Sequence, residues 1–163
     1  MKGNMYRTIF CGEVDATYVD QELKLAGWVN NIRNLGSLVF ITLRDETGIV
    51  QLISEDVEKY KDLTRESTVT VTGKVRRRTP DMVNKNMKTG EIEVLISDLE
   101  VLGKCLNVLP FEISKSKEST EDTRLKYRYL DLRNEEVHNN MKIRILLLEK
   151  NINFLHFYSV KIS

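Results

Sequence analysis

The stretch LVFITLRDETGIVQLI, residues 38–53, leaves a chain few folds to choose from. Val39, Ile41 and Leu43 alternate with Phe40, Thr42 and Arg44, the period of two that sends successive side chains to opposite faces of a strand. DETG then reads as a tight hairpin ending on Gly48, and Ile49 to Ile53 as the returning strand. The same alternation recurs on both sides of this unit. Leu23 and Leu25 open a strand that runs through Trp28 and Val29 toward Arg33 and ends at the turn NLGS. STVTVTGKVRRR sends Val69, Val71 and Val75 to one face and Thr68, Thr70, Thr72, Lys74 and Arg76 to the other. After the loop TPDMVNKNMKTG, a fifth strand points Ile92, Val94 and Ile96 inward and Glu91 and Glu93 outward. Between the third and fourth strands, Ser54 is expected to cap a short helix carrying Val57, Tyr60 and Leu63, with Glu55 and Asp56 near its positive end.

Five strands with a short helix between the third and fourth follow the element order of an oligonucleotide-binding barrel, the OB-fold, so the chain reads as mainly β. The exposed face of such a barrel commonly binds single-stranded nucleic acid. Phe40 sits on that face, in register with Thr42 and Arg44. An aromatic ring there can stack on an unpaired base, and Arg33, Arg44, Arg76 and Arg78 are candidates to hold phosphates or base edges. Periodicity leaves a second reading open, in which Phe40 lies under a loop and the arginines form a solvated rim. A net charge of +1 gives no general attraction to polyanions, so any such binding must come from a local patch. Cys11 and Cys105 lack CxxC or Cys/His spacing and are expected to be buried or half-buried thiols without metal. No apolar run is long enough to span a bilayer, and MKGNMYRTIF does not resemble a secretory signal; a cytoplasmic location with no membrane partner is expected.

The literal residues add a resemblance. CGEV, GWVNNIRNLGSLVFITLRDETGIVQL, VTGKVRRR, NKNMKTGEIEV and RLKYRYLDLR occur in the order and spacing of one family. From about Tyr6 to about Leu148 the sequence resembles the N-terminal part of bacterial-type aspartyl-tRNA synthetases, a class II family. The resemblance implies that the barrel, residues 1–108, grips the anticodon loop of the aspartate tRNA, whose splayed bases are read one by one. It implies that Phe40 stacks on the central anticodon base and that Gln51 hydrogen-bonds its edge. Arg33, Arg78, Asn84 and Glu93 match further residues of the anticodon surface, with the carboxylate suited to a guanine-type edge. Asn31 departs from the family, where a basic residue is common, so one phosphate contact is expected to be weaker.

Residues 109–133 are expected to form a polar linker and a helical hinge, with Ser119 and Asp122 as a capping box ahead of TRLKYRYLDLR and with Lys126, Arg128 and Arg133 as exposed charge. Asn134 is expected to cap a C-terminal helix with Val137, Met141, Ile145, Leu148 and Ile152 along one side, continued by Phe154. In the family that helix leads into the catalytic domain. Here the motif 1 proline is absent, since the only prolines are Pro80 and Pro110, and residues 134–163 read as a truncated start of that domain. No other catalytic constellation stands in for it, so the chain alone is expected to be inactive. ATP and magnesium belong to the missing domain, and no cofactor is expected in this chain. The full-length family is dimeric; this chain is expected to be monomeric or to self-associate through its last helix. A free-standing OB-fold module that binds tRNA or other single strands in a regulatory role is the alternative function.

Overall fold

The computed structural model describes residues 4–106 and 108–161, with side chains as far as residue 152. It divides into two compact units, Met1–Leu106 and Asn107–Ser163. In the first, β1 (Glu22–Leu35), β2 (Leu38–Arg44), β3 (Ile49–Ser54), β4 (Thr68–Arg77) and β5 (Ile92–Gly103) close into a barrel in the order β1-β2-β3-β5-β4. Every pairing is antiparallel except β3 with β5. Closure requires strong local bending, and the register slips that supply it fall between Val29 and Asn31 in β1 and at Thr72/Gly73 in β4. The alternation seen in the sequence becomes the interior: Leu25, Ile41, Leu43, Leu52 and Ile92 are all at most 1% exposed. Burial on this scale, about 25 cal/mol per Å² of apolar surface, is what holds the sheet closed.

Local chemistry closes the turns. In DETG the Asp45 carboxylate accepts from Thr47 N at 2.8 Å and from the Thr47 hydroxyl at 2.7 Å, while Asp45 N donates to Gly48 O at 3.0 Å. Its other oxygen accepts from Cys11 N at 2.7 Å, and Gly12 N donates to the Thr47 hydroxyl at 2.9 Å, which ties CGEV onto the turn. Only glycine fits at position 12, because a Cβ there would stand 2.2 Å from the Thr47 carbonyl oxygen. Cys11 is buried and Cys105 half-buried. Burial pushes the Cys11 thiol well above its ordinary value, and the charge of Asp45 adds to the effect.

Several expectations change. The helix between β3 and β4 is one 3₁₀ turn, Glu58–Tyr60, and Ser54 ends β3; its hydroxyl accepts from Asp56 N, while Asp56 Oδ1 accepts from Lys59 N. Thr70, placed outward by alternation, is buried because its hydroxyl donates to the Tyr6 carbonyl at 2.7 Å under the N-terminal segment. Glu93, also placed outward, is only 8% exposed, for reasons that belong to the site below.

The second unit carries α1 (Glu121–Lys126), α2 (Arg128–Asp131) and α3 (Glu135–Lys161). The expected polar linker is folded: Ile113–Glu118 forms 3₁₀ turns, and Phe111, Ile113 and Leu130 make a small core with Leu109 and Tyr127 against it. Thr120, not Ser119, caps α1, and the hinge helix breaks at Tyr127. Asn134 does cap α3, accepting from Glu136 N at 3.0 Å and Val137 N at 3.3 Å, while its Nδ2 donates to Ile113 O at 2.9 Å. Along α3, Ile145, Leu148 and Ile152 are exposed; the side chain of Phe154 lies outside the described residues. No described helix is long and apolar enough to cross a membrane.

Candidate nucleic-acid interface

Residues directly opposite in a sheet share a face, so register lays out the outer surface of the barrel row by row. One row runs Arg33, Phe40, Ile53, Leu95, Lys74 across β1, β2, β3, β5 and β4. The next begins Asn31, Thr42, Gln51 and continues through Glu93, which accepts from Gln51 Nε2 at 3.1 Å and is paired with Arg76 on β4. Phe40 is half-buried and Ile53 beside it is 2% exposed, while Arg33 is exposed. An aromatic ring is therefore presented on the surface, with a flexible cation on one side and an amide–carboxylate pair on the next row.

Glu93 is the hub of that pair. Arg76 Nε donates to its Oε1 at 2.7 Å, and Arg78 Nε stands 3.8 Å from its Oε2. Arg76 is half in solvent, whereas the Arg78 side chain is only 4% exposed. Arg78 spends its donors on backbone: Nε on Ile92 O at 2.9 Å and Nη1 on Met82 O at 3.5 Å, which pins the loop between β4 and β5. Burial draws its guanidinium below the usual arginine value and the Glu93 charge opposes the shift; at pH 7 it stays protonated. Its Nη2 is buried with no hydrogen-bond partner among the described residues, a donor that costs about 1–3 kcal/mol to leave unmet.

Asn84 stands apart from the other five sequence candidates. It is exposed in the loop between β4 and β5, where its Oδ1 accepts from Asn86 N at 3.1 Å and its carbonyl from Met87 N at 3.2 Å. The loop folds back so tightly that a Cβ on Gly90 would stand 1.9 Å from Asn84 O. Gly90→Ala is expected to open the loop at a cost of about 1–3 kcal/mol, read as a lower urea midpoint together with new protease cleavage within residues 80–90.

Arg44, a candidate by alternation, is committed elsewhere. Its Nη2 makes a two-pronged pair with Glu66 at 2.8 and 2.9 Å, and its Nη1 donates to Asn30 Oδ1 at 2.8 Å. Arg76 is the opposite case. Period two had placed it on the right face, but only the Glu93 contact gives it a place in the cluster. Among the described residues no group of three or more His, Cys, Asp or Glu side chains is placed to hold a metal ion.

A family model described as an OB-fold nucleic acid binding domain matches residues 23–102, which covers all but the ends of the barrel strands. The chain is 43% identical over 143 residues to an aspartate–tRNA ligase of Streptomyces coelicolor and 44% identical over 144 residues to an aspartate–tRNA(Asp/Asn) ligase of Rickettsia akari. Each match takes in 85% of this chain and 24% of the relative, so the chain spans about a quarter of their length. Among solved structures, asparaginyl-tRNA synthetase from Pyrococcus horikoshii in complex with asparaginyl-adenylate superimposes with a TM-score of 0.72 at 30% identity, over 90% of this chain and 33% of that one.

Proposed function

The chain belongs, through residues 23–102, to the tRNA anticodon family of OB-fold nucleic acid binding domains, and from that premise we propose that it binds the anticodon loop of an aspartate tRNA. The observation that carries this reading is the placement of Phe40, half-buried on the outer face between exposed Arg33 and the Gln51–Glu93–Arg76 cluster. Anticodon bases are unstacked and splayed, and a surface aromatic flanked by hydrogen-bonding side chains is the usual means of reading such bases. Stacking supplies affinity that is tolerant of sequence; edge contacts supply discrimination. Exposed Lys85 and Lys88 lie in the same loop as Asn84 and suit backbone phosphates. The aspartate in this assignment comes from the relatives, which are aspartate–tRNA ligases and of which this chain spans about a quarter.

A fluorescence titration of the full chain with aspartate tRNA and with a tRNA of unrelated anticodon tests the proposal. Tighter binding of the aspartate tRNA is expected, with log K falling against log salt at a slope of about −2. Roughly three phosphate contacts at about −0.7 each give that figure for single-stranded RNA. Equal affinity for the two tRNAs would refute it and favour a general single-strand binder.

A further inference from the structure

Along β1 the core-facing side chains change phase. Leu23, Leu25 and Val29 are buried from odd positions, whereas Ile32, packed against the same core, stands at an even one. A paired strand does this by inserting a residue, and the register slips at that place: Val29 pairs with Leu43, and the next pair is Asn31 with Thr42. Asn30 is the extra residue, and everything after it turns over. Unbroken pairing from Val29 onward would set Ile32 opposite Phe40 and Arg33 opposite Val39, on the core side; with the bulge, Ile32 pairs with Ile41 and exposed Arg33 with Phe40 on the outer face. The extra residue is held from two sides. Its Oδ1 accepts from Arg44 Nη1 at 2.8 Å, and its carbonyl accepts from Arg65 Nε at 3.0 Å. Arg44 is fixed in turn by Glu66, whose two carboxylate oxygens take its Nη2 at 2.8 and 2.9 Å; the two side chains are only 14% and 7% exposed. Glu66 is anchored through its backbone beside the bulge, since Glu66 N donates to Val29 O at 2.7 Å and Val29 N donates to Ser67 O at 2.9 Å. It takes a φ of 63°, in the left-handed region that residues other than glycine rarely enter. A strained backbone, an enclosed ion pair and a bulge thus meet at one place, and such strain persists only where the surroundings over-determine it.

We propose that the Arg44–Glu66 pair is a clamp on the Asn30 bulge, and that Arg44 is a positioning residue which keeps Arg33 on the outer face beside Phe40, where its guanidinium can hold a phosphate. Arg44 does this without meeting the RNA. Its own donors are spent on Glu66 and Asn30, and what it controls is the phase of the strand beyond the bulge. This rests on the anticodon-loop reading given above.

The test measures binding of the full chain to an aspartate tRNA anticodon stem-loop and combines Arg33→Ala with each of two changes to the clamp. Arg44→Lys keeps the charge but gives up the fork that bridges Glu66 and Asn30, and Asn30→Ala removes only the side-chain tie to the bulge. In the unsubstituted chain, Arg33→Ala is expected to weaken binding about two- to fivefold and to flatten the slope of log K against log salt by about 0.7, the loss of one phosphate contact. In either clamp variant, Arg33→Ala is expected to change neither quantity, because Arg33 is no longer held at the face. A merely structural role for Arg44 would lower affinity by a factor that multiplies with that of Arg33→Ala and would leave the change of slope intact, which overturns the proposal. An Arg33→Ala variant that binds as tightly as the unsubstituted chain overturns it as well, and that measurement needs no clamp variant to fold. If the stem-loop binds no better than an unrelated hairpin, the anticodon reading itself falls; a clear preference for the stem-loop with multiplying losses removes only the clamp.

Discussion

Phe40→Ala is expected to weaken binding of aspartate tRNA by about 1–3 kcal/mol, the usual loss when a stacked base is deprived of its aromatic platform. The same change is expected to leave the melting temperature nearly unaltered, because Phe40 is half-buried on the outer face and the core lies on the other side of β2. Its neighbour supplies the contrast. Ile41 is fully buried, and Ile41→Ala is expected to cost about 2–5 kcal/mol of stability with little effect on affinity per folded molecule. Two adjacent residues of one strand therefore separate binding from folding. A large drop in melting temperature for Phe40→Ala, with tRNA affinity unchanged, would place the ring in a structural role and remove the main support for the proposed interface.

Asp131→Ala is expected to destabilise the second unit by about 1–3 kcal/mol, since it removes a fully buried acceptor that ties the buried Ser116 hydroxyl to two partly exposed guanidinium groups. Asp131 is fully buried and accepts from the Ser116 hydroxyl at 2.7 Å, from Arg124 Nε at 3.1 Å and Nη2 at 3.2 Å, and from Arg128 Nη1. Burial disfavours its charge, but hydrogen bonds from Arg124 and Ser116 and the nearby guanidinium charges outweigh it and hold the carboxyl below its usual value. A carboxyl lowered in the folded state contributes stability that is fully present above its unfolded value, near pH 4, and is lost as pH falls through the folded value. The second unit should accordingly loosen on acidification below about pH 4, and the alanine variant should lack that part of the pH dependence. The two units can be followed separately because the single tryptophan, Trp28, lies in the barrel and the long α-helix in the second unit. Far-ultraviolet circular dichroism should show the loss while Trp28 fluorescence does not. A variant that keeps its helical signal to the same temperature would show that Arg124 and Arg128 are held by other means.

The barrel was legible because its information is local. A strand with one buried face must alternate, so Val39, Ile41 and Leu43 announce both the strand and its inner side, and DETG announces the turn that follows. Phe40 was legible for the same reason, as a large aromatic out of step with Val39, Ile41 and Leu43. The capping residue of α3 could also be read directly, since Asn134 bonds to backbone only two and three positions on. Alternation assigns a face but says nothing of what else covers it. Thr70 is buried through a contact 64 positions away, Arg44 is taken by Glu66 22 positions away, and Glu93 is buried beside Gln51, 42 positions away. The last depends on the neighbouring of β3 and β5, and the first two on segments outside the strands, around Tyr6 and Glu66, that fold back onto the sheet. Periodicity therefore supplied the strands and the face that carries Phe40, whereas barrel closure chose which polar side chains on that face are free to meet RNA and which are held by one another.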